Sequence, residues 1–208
     1  MTSIDFLTLE VADPAAAERF CTTAFGLEGQ IRFRASEAPS TGFRGFTLSL
    51  VVAQPADVDA LAGAAADAGA TTLKPAAKSL WGYGGVVQAP DGTIWQLASS
   101  SKKNTGPATR AFQEIVLLLG VEDVKASKQF YVDHGLAVGK SFGGKYAEFE
   151  TGTGPVKLAL YKRRGLAKVA GVSPEGTGSH RLTIGSSAGP FTDPDAFEWT
   201  PADVTAER

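Results

Sequence analysis

The chain has 208 residues, 43 % of them hydrophobic and one a cysteine, and its 20 basic and 22 acidic residues leave a formal charge of -2. So even a balance gives no electrostatic reason to expect nucleic acid or an anionic membrane as the main partner. Cys21 has no second cysteine to pair with, which excludes an internal disulfide and fits a reducing cytoplasm.

The length suits one or two domains, and the apolar content allows a sizeable core. The first residues carry no basic segment leading into an apolar run, so no export signal is expected, and no stretch has the apolar length of a membrane span.

Residues 4 to 11 alternate in the manner of a half-buried strand. Asp13-Pro14 then opens a helix: aspartate caps exposed amides, and proline is tolerated in the first helical position. Gly26 ends it. Cys21 falls on the apolar side of this helix, where a small buried hydrophobe is the simplest reading. Residues 29 to 35 and 43 to 53 read as strands. An Ala-rich helix follows over 55 to 69, and a hairpin over 83 to 89 and 93 to 99 turns at Pro90-Asp91-Gly92-Thr93. The polar segment 101–109 reads as a linker between modules spanning 1–100 and 110–208.

The second half repeats the pattern with a strand at 112 to 119, a helix after Asp123, and strands near 138 to 142, 145 to 151 and 156 to 161. Then it diverges. A charged stretch from Tyr161 to Lys168 and a Gly/Ser/Pro segment to Ser179 read as loop, so this module looks shortened. A strand near 180 to 185 leads to a turn at Pro194-Asp195, and the last residues read as frayed.

Two pairs of segments match closely. Phe6-Leu7-Thr8-Leu9-Glu10-Val11-Ala12-Asp13 parallels Val116-Leu117-Leu118-Leu119-Gly120-Val121-Glu122-Asp123, each reaching Gly-Leu after a helix with a central Phe. Ala89-Pro90-Asp91-Gly92-Thr93-Ile94-Trp95-Gln96 parallels Asp193-Pro194-Asp195-Ala196-Phe197-Glu198-Trp199-Thr200. An internal repeat of half the chain means duplicated modules.

This pattern, with Trp81-Gly82-Tyr83-Gly84 ahead of the first turn, resembles the glyoxalase, bleomycin-resistance and extradiol-dioxygenase superfamily, also called vicinal oxygen chelate. The resemblance implies an α+β fold of two tandem βαβββ modules whose curled mixed sheets surround a cavity. It also implies metal ligands on the first and last strands of each module. Those positions fall on Phe6, Gln96, Val116 and Thr200. Phe6 and Val116 have no lone pair, whereas a catalytic divalent ion needs about three N or O ligands. No metal and no other cofactor is therefore expected. A two-residue slip would bring Thr8, Glu114 or Glu198 into play on the same faces.

Other residues have plain alternatives. His134 suits a helix end. His180 opens a strand and is a candidate base, against a backbone-bonded strand end. Glu114 and Glu198 are weak catalytic candidates, against wet strand rims. Of the aromatics Trp81, Tyr83, Trp95, Tyr146 and Trp199, the repeat-equivalent Trp95 and Trp199 read as core. Trp81 and Tyr83 read as stacking residues at a cavity mouth. The cations Lys162, Arg163, Arg164 and Lys168 read as a solvated loop. Gly185-Ser186-Ser187-Ala188-Gly189 matches the nucleophile-elbow pattern but lacks a following helix.

The expectation is a metal-independent, cytoplasmic small-molecule binding protein, monomeric or homodimeric. Its ligand would be met by Phe6, Thr8, Trp81, Tyr83, Gln96, Glu114 and Thr200. The alternative is a glyoxalase-like lyase, isomerase or dioxygenase.

Overall fold

The computed structural model describes residues 2–202; the frayed end expected from the sequence lies mostly outside them. Strand β1 (Ile4–Val11) buries Leu7, Leu9 and Val11 and leaves Thr8 and Glu10 half-exposed. This is the alternation that a strand with one face on the core requires. Helix α1 (Pro14–Phe25) starts where Asp13 Oδ1 accepts from the Ala16 amide at 3.0 Å, and stops at left-handed Gly26, φ 66. Strands β2 (Ile31–Ala35) and β3 (Ser40–Gly42) follow. Then come β4 (Phe46–Val51), α2 (Pro55–Asp67), β5 (Thr71–Ser79), β6 (Gly82–Gln88) and β7 (Ile94–Ser99). After the connecting segment come β8 (Glu114–Val121), α3 (Val124–Asp133), β9 (Ala137–Phe142), β10 (Tyr146–Glu150) and β11 (Val156–Lys162). Helix α4 (Arg163–Ala170) leads to β12 (Gly176–Gly178), β13 (Leu182–Ser186), β14 (Phe191–Thr192) and β15 (Glu198–Pro201).

The runs β4–β7 and β8–β11 are each β-α-β-β-β. They join through antiparallel β4 and β8 into one eight-stranded sheet, ordered β5-β6-β7-β4-β8-β11-β10-β9. The chain's two ends build a second sheet, ordered β14-β15-β13-β1-β2, with β1 antiparallel to β13. The fold class is therefore α+β with mixed sheets, as expected, and neither sheet closes into a barrel. Strand pairing runs across the boundary read at 101–109: the first strands of the chain pair with its last. Alternation marks a strand but not its partner, so this exchange was not visible locally.

The segment read as a linker is held in place. Gln54 Oε1 accepts from the amides of Thr105 and Gly106 at 2.7 and 3.0 Å, and Asp57 Oδ1 accepts from the Thr109 amide at 2.7 Å. Its attachment point is the start of α2.

The stretch 163 to 170, read from sequence as loop, is helical. Leu166, Ala167 and Ala170 are fully buried, and Arg164 and Lys168 are exposed. The run of cations is thus the wet side of a short amphipathic helix. Leu166 alone contributes roughly 1.5–3 kcal/mol on burial. Arg163 ties the helix start to the Phe43 and Pro174 carbonyls, and Lys74 Nζ donates to the Lys168 and Val169 carbonyls at its end. A cation there also complements the helix dipole.

One continuous core packs α1, α2 and α3 with the inner faces of both sheets, including Trp95 and Trp199. A second, smaller cluster lies where α4 meets Leu118, Ala159, Ile94 and Val86 on the other face of the eight-stranded sheet. No helix among the described residues is long and apolar enough to cross a membrane.

Candidate functional site

The face of the eight-stranded sheet left open beside α4 forms a cavity of about 500 Å³. Its floor is a single lateral row across four strands. Gln96 on β7 pairs with Ser49 on β4, Ser49 with Val116 on β8, and Val116 with Lys157 on β11. All four line the cavity. Lateral neighbours share a sheet face because strands alternate with a period of two. Glu114 stands at the exposed rim, two residues from Val116. Tyr146 and Glu148 from β10 and Tyr161 from β11 form the wall.

That wall is internally ordered. Tyr146 donates its hydroxyl to Glu148 at 2.9 Å, and its ring meets Tyr161 edge-on with centroids 5.0 Å apart. Burial first, and then the hydrogen bond and charge of Glu148, push the Tyr146 phenol well above its ordinary value. Burial, followed by the Glu148 charge, raises Tyr161 as well. Both phenols stay protonated at neutral pH. On the floor, Gln96 Nε2 donates to Thr47 Oγ1 at 2.8 Å.

The structure separates the residues that the sequence reading brought together. Gln96, Glu114 and Val116 share this cavity. Phe6, Thr8 and Thr200 belong to the five-stranded sheet, where Phe6 pairs with Gly185 and Gly185 with Thr200. Phe6 is 4 % exposed, and the Arg32 guanidinium lies 3.5 Å from its ring centroid. Trp81 is 85 % exposed on the β5–β6 turn, and neither it nor Tyr83 lines a cavity described here. Tyr83 instead donates to Asp59 on α2, on the helix side. Glu198 lines a smaller hollow of about 300 Å³ with Glu10 and His180. Both ring nitrogens of His180 face carbonyl oxygens, of Arg44 and Asp195, so it is a tied strand end. His134 Nδ1 lies against the Phe130 carbonyl at the end of α3.

Ser49, Glu148, Lys157 and Tyr161 were missed as site residues, and Tyr146 was noticed only as aromatic surface. The signal was present in Tyr146-x-Glu148 and Lys157-x-Ala159-x-Tyr161, which put these side chains on one strand face.

A larger groove, about 620 Å³, runs between α1 and the Pro90-Asp91 turn. It holds Cys21, whose thiol is pushed up to about 12 by burial and then by the Asp91 charge, so it is no nucleophile at neutral pH. Asp13 there is occupied as the helix cap. The sheet cavity brings together Gln96 and Glu114, two of the expected site residues, with a row of polar side chains on one sheet face, and is the stronger candidate.

The metal implied by the resemblance is not matched by these donors. The row offers an amide, a hydroxyl, a hydrocarbon and an ammonium, and the other two expected positions lie on the other sheet. Among the described residues no three His, Cys, Asp or Glu side chains are grouped to hold a metal ion.

The architecture has close parallels among solved structures. Glyoxalase I from Zea mays aligns over 96 % of this chain and 91 % of its own, with a TM-score of 0.59 at 15 % identity. A mutant of that enzyme gives the same TM-score at 16 % identity. A putative dioxygenase from Bacillus subtilis gives 0.56 at 13 % identity, over 88 % of this chain and 69 % of its own. No protein-family model matches the chain, and no curated protein matches it. The chain has the glyoxalase fold. It is the fold of the vicinal oxygen chelate superfamily, which the sequence repeat resembles.

Proposed function

We propose that this chain is a metal-independent small-molecule binding protein that sequesters a drug or metabolite in the cavity of its eight-stranded sheet. The carrying observation is the floor row of Gln96, Ser49, Val116 and Lys157. It keeps a concave site while offering an apolar side chain and an ammonium where a metal centre needs lone pairs. A cavity of this size, with aromatic walls and a few convergent polar groups, suits a small organic guest.

Elemental analysis of the purified chain, with thermal shifts across a small-molecule panel, tests this. The expected result is no stoichiometric divalent metal, no change in melting temperature on chelation, and stabilisation by a subset of organic compounds. About one Zn, Fe, Ni or Mn per chain would count against it.

The enzymatic alternative, a lyase, isomerase or dioxygenase of glyoxalase type, draws on Glu114 and the Tyr146–Glu148 pair lining the same cavity. Glu114→Gln separates the two. A binder keeps much of its affinity, whereas an enzyme with Glu114 as base loses turnover while still binding.

A further inference from the structure

Three carboxylates line the cavity, those of Glu114, Glu148 and Glu150, against the single ammonium of Lys157. None forms an ion pair with another described residue. Register places Glu148 opposite Ala159 on β11, one step from Lys157 on the same strand face. Three carboxylates against one ammonium leave the cavity with an excess of negative charge. The aromatic edge formed by Tyr146 and Tyr161 stands beside Glu148, and both phenols remain neutral at physiological pH. A neutral ring next to a carboxylate is a favourable setting for an organic cation, because ring face and carboxylate both attract positive charge.

A second set of groups points to a ligand independently of the charge. Ser49 lines the cavity floor, where its hydroxyl is open to the cavity and makes no hydrogen bond among the described residues. Thr151 is 1 % exposed, also lines the cavity, and its Oγ1 has no partner there. Buried polar atoms are rarely left unpaired, and each such atom costs on the order of 1–3 kcal/mol. Beside Ser49, the Gln96 carbonyl oxygen also accepts nothing from the described residues.

We infer that the ligand is an organic amine, protonated at neutral pH and carrying an aromatic or apolar body. Its ammonium lies by Glu148, its body lies on Val116, Leu118 and the two tyrosines, and a polar group reaches Ser49. This rests on the binding reading above and specifies the class of guest for the same cavity.

Three probes of matched shape test it by calorimetric titration of the full chain: phenylbutylamine, phenylbutanol and phenylbutyrate. The amine should bind tightest, ahead of the alcohol by on the order of tenfold, with the carboxylate weakest. Raising the salt concentration should narrow that gap. Glu148→Gln, which keeps an acceptor for Tyr146, should weaken the amine and leave the alcohol unchanged; Glu114→Gln, at the exposed rim four residues along β8 from Leu118, should keep most of the amine affinity. Alcohol or carboxylate binding as tightly as the amine overturns the charge inference and leaves the binding function standing. Binding of none of the three overturns both.

Discussion

The ring of Phe6 lies across Gly185 on the neighbouring strand: a Cβ at Gly185 would come within 2.3 Å of Phe6 Cζ. The two are register partners, and Arg32 covers the exposed side of the ring. Phe6 and Gly185 are the counterparts, in the five-stranded sheet, of Val116 and Ser49 in the eight-stranded sheet. One face has its central position covered by the chain's own aromatic residue, and the other keeps an open floor. This asymmetry confines the proposed ligand to one site per chain.

Gly185→Ala should therefore destabilise the protein. The added methyl displaces the Phe6 ring, and overpacking of this kind typically costs about 1–3 kcal/mol. Denaturant melts of the single variant, and of Gly185→Ala combined with Phe6→Leu, check this. The smaller side chain at position 6 should recover part of the loss.

Helix α4 is held on the sheet by close backbone approach at Gly120, where a Cβ would lie 2.9 Å from the Gly45 carbonyl and 3.1 Å from Arg163 Cα. Both atoms belong to the main chain and do not swing away. Gly120→Ala should loosen α4, seen as faster amide exchange over residues 166 to 172 with the helix α2 amides unaffected.

Lys74 caps the far end of the same helix. Lys74→Ala should cost about 0.3–1 kcal/mol, the usual worth of a cation at a helix C-terminus. Amide exchange near Lys168 to Gly171 should rise while the β10–β11 pairing stays protected.

Asp57 makes a pH-dependent contribution. Desolvation acts to raise its carboxyl, but hydrogen bonds from Thr109 and Gln54 outweigh it and hold the group below its ordinary value. A carboxylate depressed in the folded state adds stability above the unfolded value, about 3.9, and that stability fades as pH falls through the folded value. Asp57→Asn should be destabilised at pH 7, and its deficit should close under acid. Melting curves from neutral to acidic pH for both proteins measure this.

Local chemistry made much of the fold legible. Asp13 and Asp123 were read as helix openers, and both accept amide hydrogen bonds from the first turn. Trp95 and Trp199 were read as core and are buried. What stayed hidden is non-local. Nothing near residues 4 to 11 reveals that their partner is 182 to 186, or that 46 to 51 pairs with 114 to 119. The cavity stayed hidden for the same reason, since its floor is a row across four strands. Trp81 drew attention as an aromatic in a glycine-rich segment, but that segment is a hairpin tip whose direction only the sheet determines. The helix at 163 to 170 was masked by its cations, although Leu166, Ala167 and Ala170 recur at helical spacing.

The most direct test of the central claim, a single ligand cavity in the eight-stranded sheet, is titration of the tightest of the three probes into two variants. Val116→Phe fills the floor of the cavity, and Thr200→Val alters the corresponding position of the other sheet. Val116→Phe is expected to abolish saturable binding while keeping a cooperative thermal transition, and Thr200→Val to bind as the unaltered protein does, one probe per chain. Undiminished binding by Val116→Phe together with loss of binding by Thr200→Val would contradict the claim and place the site on the five-stranded sheet.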